Sequence, residues 1–265
     1  MKRIETGKLT VIKNIADGLA YLKIEIGKNA EKFAPGNFVS LLPPASSGRY
    51  LRRPFSVAGI ADESIELIIK NTGPATKSLV SLAGESVIEI MGPLGNSYQI
   101  PDNIKTLWMI GGGTGIASIL FLNSLRSCNS ANMDKILWAG KTKELLPSVD
   151  LLLDKEFSHI FKKNIAIATD NGSAGEKGTA PEILEKWLAK NAMPPDGIVS
   201  CGPHVMMKEI KKIADAKAIP AWFSMEEFMA CGAGACAGCA IPSSSGGYLK
   251  VCSDGPVFKS GEVIL

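Results

Sequence analysis

Three cysteines fall within nine residues near the end of this chain, Cys231-Gly-Ala-Gly-Ala-Cys236-Ala-Gly-Cys239, and a fourth, Cys252, follows after a short hairpin-like segment. The spacing C-x4-C-x2-C with a more distant fourth cysteine matches the plant-type arrangement for a [2Fe-2S] cluster, in which one tight loop supplies three ligands and a neighbouring segment the fourth. Every residue between the first three thiols is glycine or alanine. A loop that wraps an inorganic cluster needs its backbone close to the sulfides with N–H groups turned toward them, and bulky side chains would block that approach. A structural zinc site is the competing reading, although four-cysteine zinc sites more often place their ligands in two short knuckles. Disulfides fit poorly, because nothing in the chain suggests secretion. Cys128 and Cys201 lie outside the group.

At 265 residues the chain exceeds one average domain, so two compact units and a small appendage are expected. A hydrophobic fraction of 46% and a charged fraction of 21% are those of an ordinary soluble globular protein. The net charge of +3 is too small and too evenly spread to suggest a nucleic-acid partner. The N-terminus has no apolar core of signal-peptide length, and no apolar run approaches the length that crosses a bilayer. A cytoplasmic location with no membrane partner follows, in accord with cysteines held as metal ligands.

From Lys8 to about Pro101 the chain reads as short strands: Leu9 to Ile12, Leu19 to Ile26, Phe38 to Leu42, Ser64 to Ile69 and Ser86 to Met91. Punctuated by Gly and Pro, with almost no helical periodicity, they predict a small antiparallel barrel. Within it, Arg53-Pro54-Phe55-Ser56 packs a cation, a φ-locked ring, an aromatic and a hydroxyl into four residues. Arg can grip a phosphate, Ser can add a hydrogen bond, and the backbone near Pro54 can lie against a ring; an exposed strand end with a surface Arg is the plainer reading. Further on, Gly73-Pro74 reads as a turn and Thr76 to Leu79 as a short helix whose free N–H groups could face a pyrophosphate or serve an ordinary cap. The turn Met91-Gly92-Pro93-Leu94-Gly95-Asn96 is expected to close the barrel.

At Thr106 the pattern changes. Leu107 to Ile110 reads as a buried strand, Gly111-Gly112-Gly113-Thr114-Gly115 as a glycine turn and Ile116 to Leu125 as an amphipathic helix, an arrangement that offers N–H groups to a phosphate. Strands at Lys135 to Ala139, Asn164 to Thr169 and Gly197 to Ser200, with helices at Glu182 to Ala189 and Val205 to Ala216, predict a parallel α/β sheet. The full G-x-G-x-x-G fingerprint is absent, since Ser118 occupies its last position and Gly140-Lys141-Thr142-Lys143 stands where an acidic residue would follow the second strand. An ordinary dinucleotide dehydrogenase is therefore disfavoured. Cys201-Gly202-Pro203 ends the fourth strand at the edge where ligands of open α/β sheets lie; Cys201 could contact a nicotinamide there or be inert core. His159 and His204 have no carboxylate or nucleophile at suggestive spacing and read as surface or cap residues. No acid–base or nucleophile constellation appears and no catalytic side chain is assigned, so the chemistry belongs to cofactors.

Taken together, a barrel bearing R-P-x-S, an α/β unit with G-G-G-T-G and C-G-P, and a C-terminal cluster loop resemble the ferredoxin-reductase superfamily. Within it, the chain resembles the electron-transfer subunits of two-subunit, NAD-linked dihydroorotate dehydrogenases over essentially its whole length. The marks are Arg53 to Ser56, Gly92 to Asn96, Thr169-Asp170-Asn171-Gly172-Ser173 with Gly178, Ser224 to Gly232, and Val251 to Phe258. The resemblance implies an FAD-binding barrel over 1–101, an NAD-binding α/β domain over 102–220 and a [2Fe-2S] module over 221–265. It places FAD against Arg53, Pro54, Phe55 and Ser56, then Ile68, Ile69 and Lys70, then Gly73, Ala75 and Thr76. NAD(H) is placed against Gly111, Gly112, Gly113, Thr114 and Gly115 with Cys201, Gly202 and Pro203, and the cluster on Cys231, Cys236, Cys239 and Cys252. Two departures stand out: Ala75 replaces the family's usual glycine, where a methyl could crowd the pyrophosphate, and Lys70 replaces a common arginine, keeping the charge but losing the fork.

The implied activity is that of an oxidoreductase subunit of pyrimidine biosynthesis. Electrons would pass from a separate FMN-containing, dihydroorotate-oxidising subunit through the cluster to FAD and on to NAD+, in a heterotetramer with two copies of each chain. The alternative within the superfamily is the small flavin subunit of an NADH-dependent ferredoxin:NADP oxidoreductase or of a sulfide dehydrogenase. An Asp at the first cluster position would point that way, and this chain has Cys231. A monomeric ferredoxin-type reductase serving an oxygenase is more distant, and a zinc-binding module without redox chemistry belongs to another class.

Overall fold

The computed structural model describes residues 3–126, 134–152, 157, 161, 165–191 and 193–265; Cys128, His159 and Asn164 lie outside the described residues. Six antiparallel strands close the N-terminal barrel in the order β1-β2-β5-β4-β3-β6: β1 (Arg3–Ala16), β2 (Leu19–Glu25), β3 (Phe38–Leu41), β4 (Arg53–Ala61), β5 (Ser64–Lys70) and β6 (Val87–Leu94). Period-two alternation fills the interior: on β6, Val87 is 70% exposed while Ile88 and Ile90 are 3% and 0% exposed. These join Leu22, Ile24, Val39, Leu41, Ile65 and Leu67 in one core.

All five expected barrel strands are present, and a sixth, β4, contains Arg53-Pro54-Phe55-Ser56. Arg53 to Ser56 pair only with β3, because the ladder to β5 begins at Val57. The other edge of this stretch is open, so Pro54, which has no N–H to donate, fits there. The expected closing turn at Met91 to Asn96 begins later than its first residues, since β6 runs on to Leu94 and pairs Gly92 with Arg3 and Leu94 with Phe38. A short helix, α1 (Pro74–Val80), follows β5.

The second unit is a seven-stranded sheet in the order β10-β9-β8-β7-β11-β12-β15, where β15 is Val257–Lys259. Its parallel centre comprises β7 (Leu107–Gly112), β8 (Lys135–Gly140), β9 (Ile165–Thr169), β11 (Gly197–Cys201) and β12 (Ala221–Ser224), with the two-residue β10 (Glu176–Lys177) at one edge. The helices are α2 (Ile116–Arg126), α3 (Val149–Leu152), α4 (Ala180–Lys190) and α5 (His204–Ala216), whose first residue, His204, is exposed. Strand order reverses between β7 and β11, so the glycine turn after one and Cys201-Gly202-Pro203 after the other flank the crevice where open α/β sheets take ligands. Helix α2 is not amphipathic as its sequence suggested: Ile116 to Asn123 are all buried. It lies between the sheet and the barrel, and the core it shares with Met109 and Val199 also takes in Ile15, Leu19, Tyr21, Ala58 and Ile68 from the barrel.

The C-terminal segment leaves the sheet at β12, forms the thiol loop, folds back as the hairpin β13 (Ala240–Pro242) and β14 (Tyr248–Lys250), and returns as β15 (Val257–Lys259), antiparallel to β12. Among the described residues no helix is long and apolar enough to cross a membrane.

Candidate cofactor clefts and thiol loop

Two clefts meet where the barrel faces the sheet. The first, about 470 Å³, is lined on the barrel side by Arg53, Pro54, Phe55, Ser56, Ile68, Lys70 and Thr76, and on the other side by Thr114, Ala117, Met225 to Met229 and Pro256. The strand period explains the selection on β5: Ile68 and Lys70 project outward to the cleft, whereas Ile69 points into the barrel core and is fully buried. Arg53 donates to its own loop through the carbonyls of Leu51 (2.9 Å) and Arg52 (3.2 Å). No carboxylate pairs with it among the described ion pairs, which leaves its charge available to an anion.

The loop before α1 is tied by Thr76, whose hydroxyl accepts from the N–H groups of Thr72 (2.9 Å) and Gly73 (3.0 Å) and donates to the Gly73 carbonyl (3.0 Å). Ala75 is 5% exposed and is not part of the cleft wall, so its methyl group sits in protein rather than in the space expected for a pyrophosphate.

The second cleft, about 610 Å³, opens at the carboxyl ends of β7, β8 and β9. Gly112, Gly113, Thr114 and Pro203, which the resemblance sets against NAD(H), line it together with Lys141, Asp170, Thr179, Met206 and Glu209, and with Asp17, Leu19 and Lys70 from the barrel. Trp138 donates its indole N–H to the Gly113 carbonyl at 3.0 Å and fixes the turn, where Gly113 adopts φ +56°. Lys70 and Thr114 stand on both clefts.

Gly73, Gly111, Gly115, Cys201 and Gly202 line neither cleft. Close packing accounts for two of them: a Cβ on Gly111 would fall 2.7 Å from the Ile116 Cα, and one on Gly115 would fall 2.3 Å from the Cys201 carbonyl oxygen. These glycines let α2 sit down on β7 and β11.

Cys201 is fully buried, with Sγ 3.9 Å from Glu226 Oε1. Burial, reinforced by the Glu226 charge, pushes its thiol far above the usual range, so it stays protonated. Burial likewise raises the Tyr98 phenol, which is hydrogen-bonded to Ser118 at 3.1 Å. Glu226 shows surface to the first cleft while protein encloses most of its carboxyl group, and that desolvation raises its pKa. Nothing local marks Glu226 as a cleft residue: its neighbours mark the thiol loop, and only the place of β12 in the sheet brings it beside Cys201.

The four thiols stand in two pairs, Cys231 beside Cys236 and Cys239 beside Cys252. Backbone N–H groups converge on them: Ala233 and Cys236 on the Cys231 sulfur (both 3.4 Å), Gly234 on Cys252 (3.1 Å), Gly238 on Cys236 (3.4 Å) and Cys252 on Cys239 (3.4 Å). The Ala233 and Cys236 donors hold the Cys231 thiol down to about 6, whereas burial and the adjoining Cys239 thiol push Cys252 up to about 11. Gly232 and Gly234 take left-handed φ of +59° and +85°; a Cβ on Gly232 would fall 3.2 Å from the Met91 Cε, where the loop rests on β6. Two thiol pairs ringed by N–H donors fit a cluster of two irons with thiolate ligands. Among the described residues, no group of three or more His, Cys, Asp or Glu side chains is arranged to hold a single ion.

Asn96 joins the loop to the barrel. Its side-chain amide donates to the carbonyls of Asp254 (3.1 Å) and Val257 (2.8 Å) and accepts from the Val257 N–H (2.9 Å). Pro256, between those partners, reaches the first cleft.

Comparison with known proteins agrees with this layout. Residues 226–264 match the family described as the iron-sulfur cluster binding domain of dihydroorotate dehydrogenase B. A dihydroorotate dehydrogenase B (NAD(+)) electron transfer subunit of Caldanaerobacter subterraneus is 32% identical, over 87% of this chain and 87% of its own. One from Clostridium acetobutylicum is 32% identical over 95% of this chain and 93% of its own. Among solved structures, a chain from the NADH-dependent reduced ferredoxin-NADP oxidoreductase superposes with a TM-score of 0.82 at 26% identity, covering 97% of this chain and 89% of that one. Phthalate dioxygenase reductase shares the fold, with a TM-score of 0.64 at 15% identity over 94% of this chain and 77% of that chain.

Proposed function

This chain belongs to the dihydroorotate dehydrogenase B (NAD(+)) electron-transfer subunits, and from that membership we propose how its two clefts and its thiol loop divide the work. It is the electron-transfer subunit of an oxidoreductase complex, carries FAD and a [2Fe-2S] cluster, and exchanges electrons with NAD; oxidation of the metabolite belongs to a partner catalytic subunit. When bound, FAD handles a hydride's electron pair and the cluster handles electrons one at a time.

The first cleft is the FAD site. Arg53 and Ser56 bind its phosphates, Pro54 and Phe55 present a flat apolar wall, and the loop tied by Thr76 offers backbone N–H groups. The second cleft takes NAD(H), with the glycine turn and Pro203 against the dinucleotide and Lys70 and Thr114 at the boundary between the two molecules. Cys231, Cys236, Cys239 and Cys252 hold the cluster. Glu226 borders the first cleft with its carboxyl pKa raised by desolvation, and Cys201 stands beside it as a buried, protonated thiol. The partner subunit contains FMN, oxidises dihydroorotate and assembles with this chain two by two.

Contiguity carries the reading. Lys70 and Thr114 border both clefts, and Met229 borders the first cleft two residues before Cys231. A protein that only stored a metal would have no use for two nucleotide-sized clefts opening onto each other beside its thiols.

Anaerobic purification should yield about one FAD and one [2Fe-2S] cluster per chain, and NADH should bleach the flavin absorption. Iron and flavin both missing would overturn the assignment. The likeness to the ferredoxin-NADP oxidoreductase chain supports a shared architecture, and turnover separates the two activities. With its co-purified partner the complex should reduce NAD+ at the expense of dihydroorotate; NADPH-dependent ferredoxin reduction in its place would favour the other.

A further inference from the structure

The segment that supplies the fourth thiol also supplies a cation. Lys250 is the last residue of β14, two positions before Cys252, and its side chain is half-buried. Its Nζ reaches across the thiol loop and donates to the Gly234 carbonyl oxygen at 2.7 Å. The N–H of the same residue donates to the Cys252 sulfur at 3.1 Å. Gly234 thus accepts from an ammonium at its carbonyl and donates to a ligand sulfur through its N–H.

No acidic side chain neutralises this cation: none of the ion pairs among the described residues includes Lys250. Asp254, four residues on, is engaged elsewhere. One of its carboxylate oxygens accepts from the Lys250 backbone N–H at 2.7 Å and the other from the Ser253 hydroxyl at 3.1 Å.

We propose that Lys250 raises the reduction potential of the cluster held by Cys231, Cys236, Cys239 and Cys252. The inference rests on the reading of those thiols as cluster ligands. Reduction adds one electron to the cluster, and a fixed positive charge a few bonds away favours the more negative state. The contact also pins Gly234 where its N–H donates to the Cys252 sulfur, a donor that favours the reduced cluster further. A lysine that only clamped the loop would need the hydrogen bond but not the charge.

The test compares Lys250→Gln and Lys250→Arg in the full chain with its cofactors, measuring iron and FAD content and titrating the cluster potentiometrically by EPR. The expected result is a Gln variant that keeps its iron and flavin while its cluster midpoint moves to a more negative value. The Arg variant should titrate close to the parent, and the FAD midpoint should be the less affected of the two centres. An unmoved cluster midpoint in an iron-replete Gln variant would overturn the proposal, as would an equal displacement in both variants, which would mark a clamp. If Gln cannot retain iron, the Arg variant decides: iron held at the parental midpoint supports the proposal, and iron lost there too refutes it. Iron missing from the parent would instead remove the cluster reading itself.

Discussion

Replacing Asn96 with alanine tests how firmly the thiol loop is fixed to the barrel. The substitution deletes three hydrogen bonds, two donated to the carbonyls of Asp254 and Val257 and one accepted from the Val257 N–H. The backbone contacts of residue 96, its N–H to Gly255 O (2.6 Å) and its carbonyl accepting from Asn37 Nδ2 (3.0 Å), survive. Each deleted bond carries a net ~0.5–1.5 kcal/mol. Asn96 is only half-buried, so water replaces part of the loss and the cost settles at about 2 kcal/mol. For a chain of this size that lowers the apparent melting temperature by roughly 4–8 °C.

The assay is thermal unfolding of the cofactor-loaded protein at several scan rates. Gln99→Ala serves as control, because Gln99 is exposed and makes one contact with Ser97 at 3.0 Å. Asn96→Asp should be at least as damaging as alanine, since it keeps the acceptor for Val257 but turns two donations into carboxylate–carbonyl repulsion. A fall of about 1 °C or less in Asn96→Ala, indistinguishable from the control, would refute the assignment of Asn96 as the tie between barrel and loop.

Three further outcomes are expected. Cys236→Ser abolishes the cluster's EPR signal and electron transfer through it, while NADH-to-dye activity through FAD partly survives; loss of FAD reduction in a folded variant would contradict the proposed order of centres. Arg53→Ala weakens FAD binding by ~10- to 100-fold, the range of one charge-assisted contact of about 1.5–3 kcal/mol, and unchanged affinity in a flavin-binding titration would remove Arg53 from the site. Because Glu226 has a raised folded-state pKa, its protonated form is the one the fold favours, and wild-type stability falls as pH climbs from below the ordinary carboxylate range through the raised value. The stability difference between Glu226→Gln and wild type should therefore shift in favour of the Gln variant over that window and then level off; denaturant titrations showing a pH-independent difference would refute it.

Much of this architecture was legible because short-range rules were obeyed. Alternating apolar residues marked the barrel strands, and the cysteine spacing marked the loop. Long-range arrangement was not legible. Arg53 to Ser56 stood outside the expected strands, and only the absence of a β5 partner at that edge admits Pro54 to one. Helix α2 read as half-exposed because its sequence cannot declare that the barrel covers its outer side. Ile69 was placed with Ile68 and Lys70 by the family resemblance, and the strand period turns it inward. Glu226, Asp170 and Lys141 went unassigned as cleft residues because isolated charges are ordinary on surfaces and nothing local tells which of them border a crevice.

The thiol loop leaves from β12 and its far end returns as β15, the two strands lying side by side at the rim of the dinucleotide sheet. The redox loop is thus a stitch in that fabric rather than a pendant on a tether. Excising residues 225–256 would leave β15 without its lead-in, and a cut after Pro220 would strip two strands from the nucleotide half. Grafting this electron relay onto a foreign reductase would therefore mean transplanting the sheet edge along with the loop.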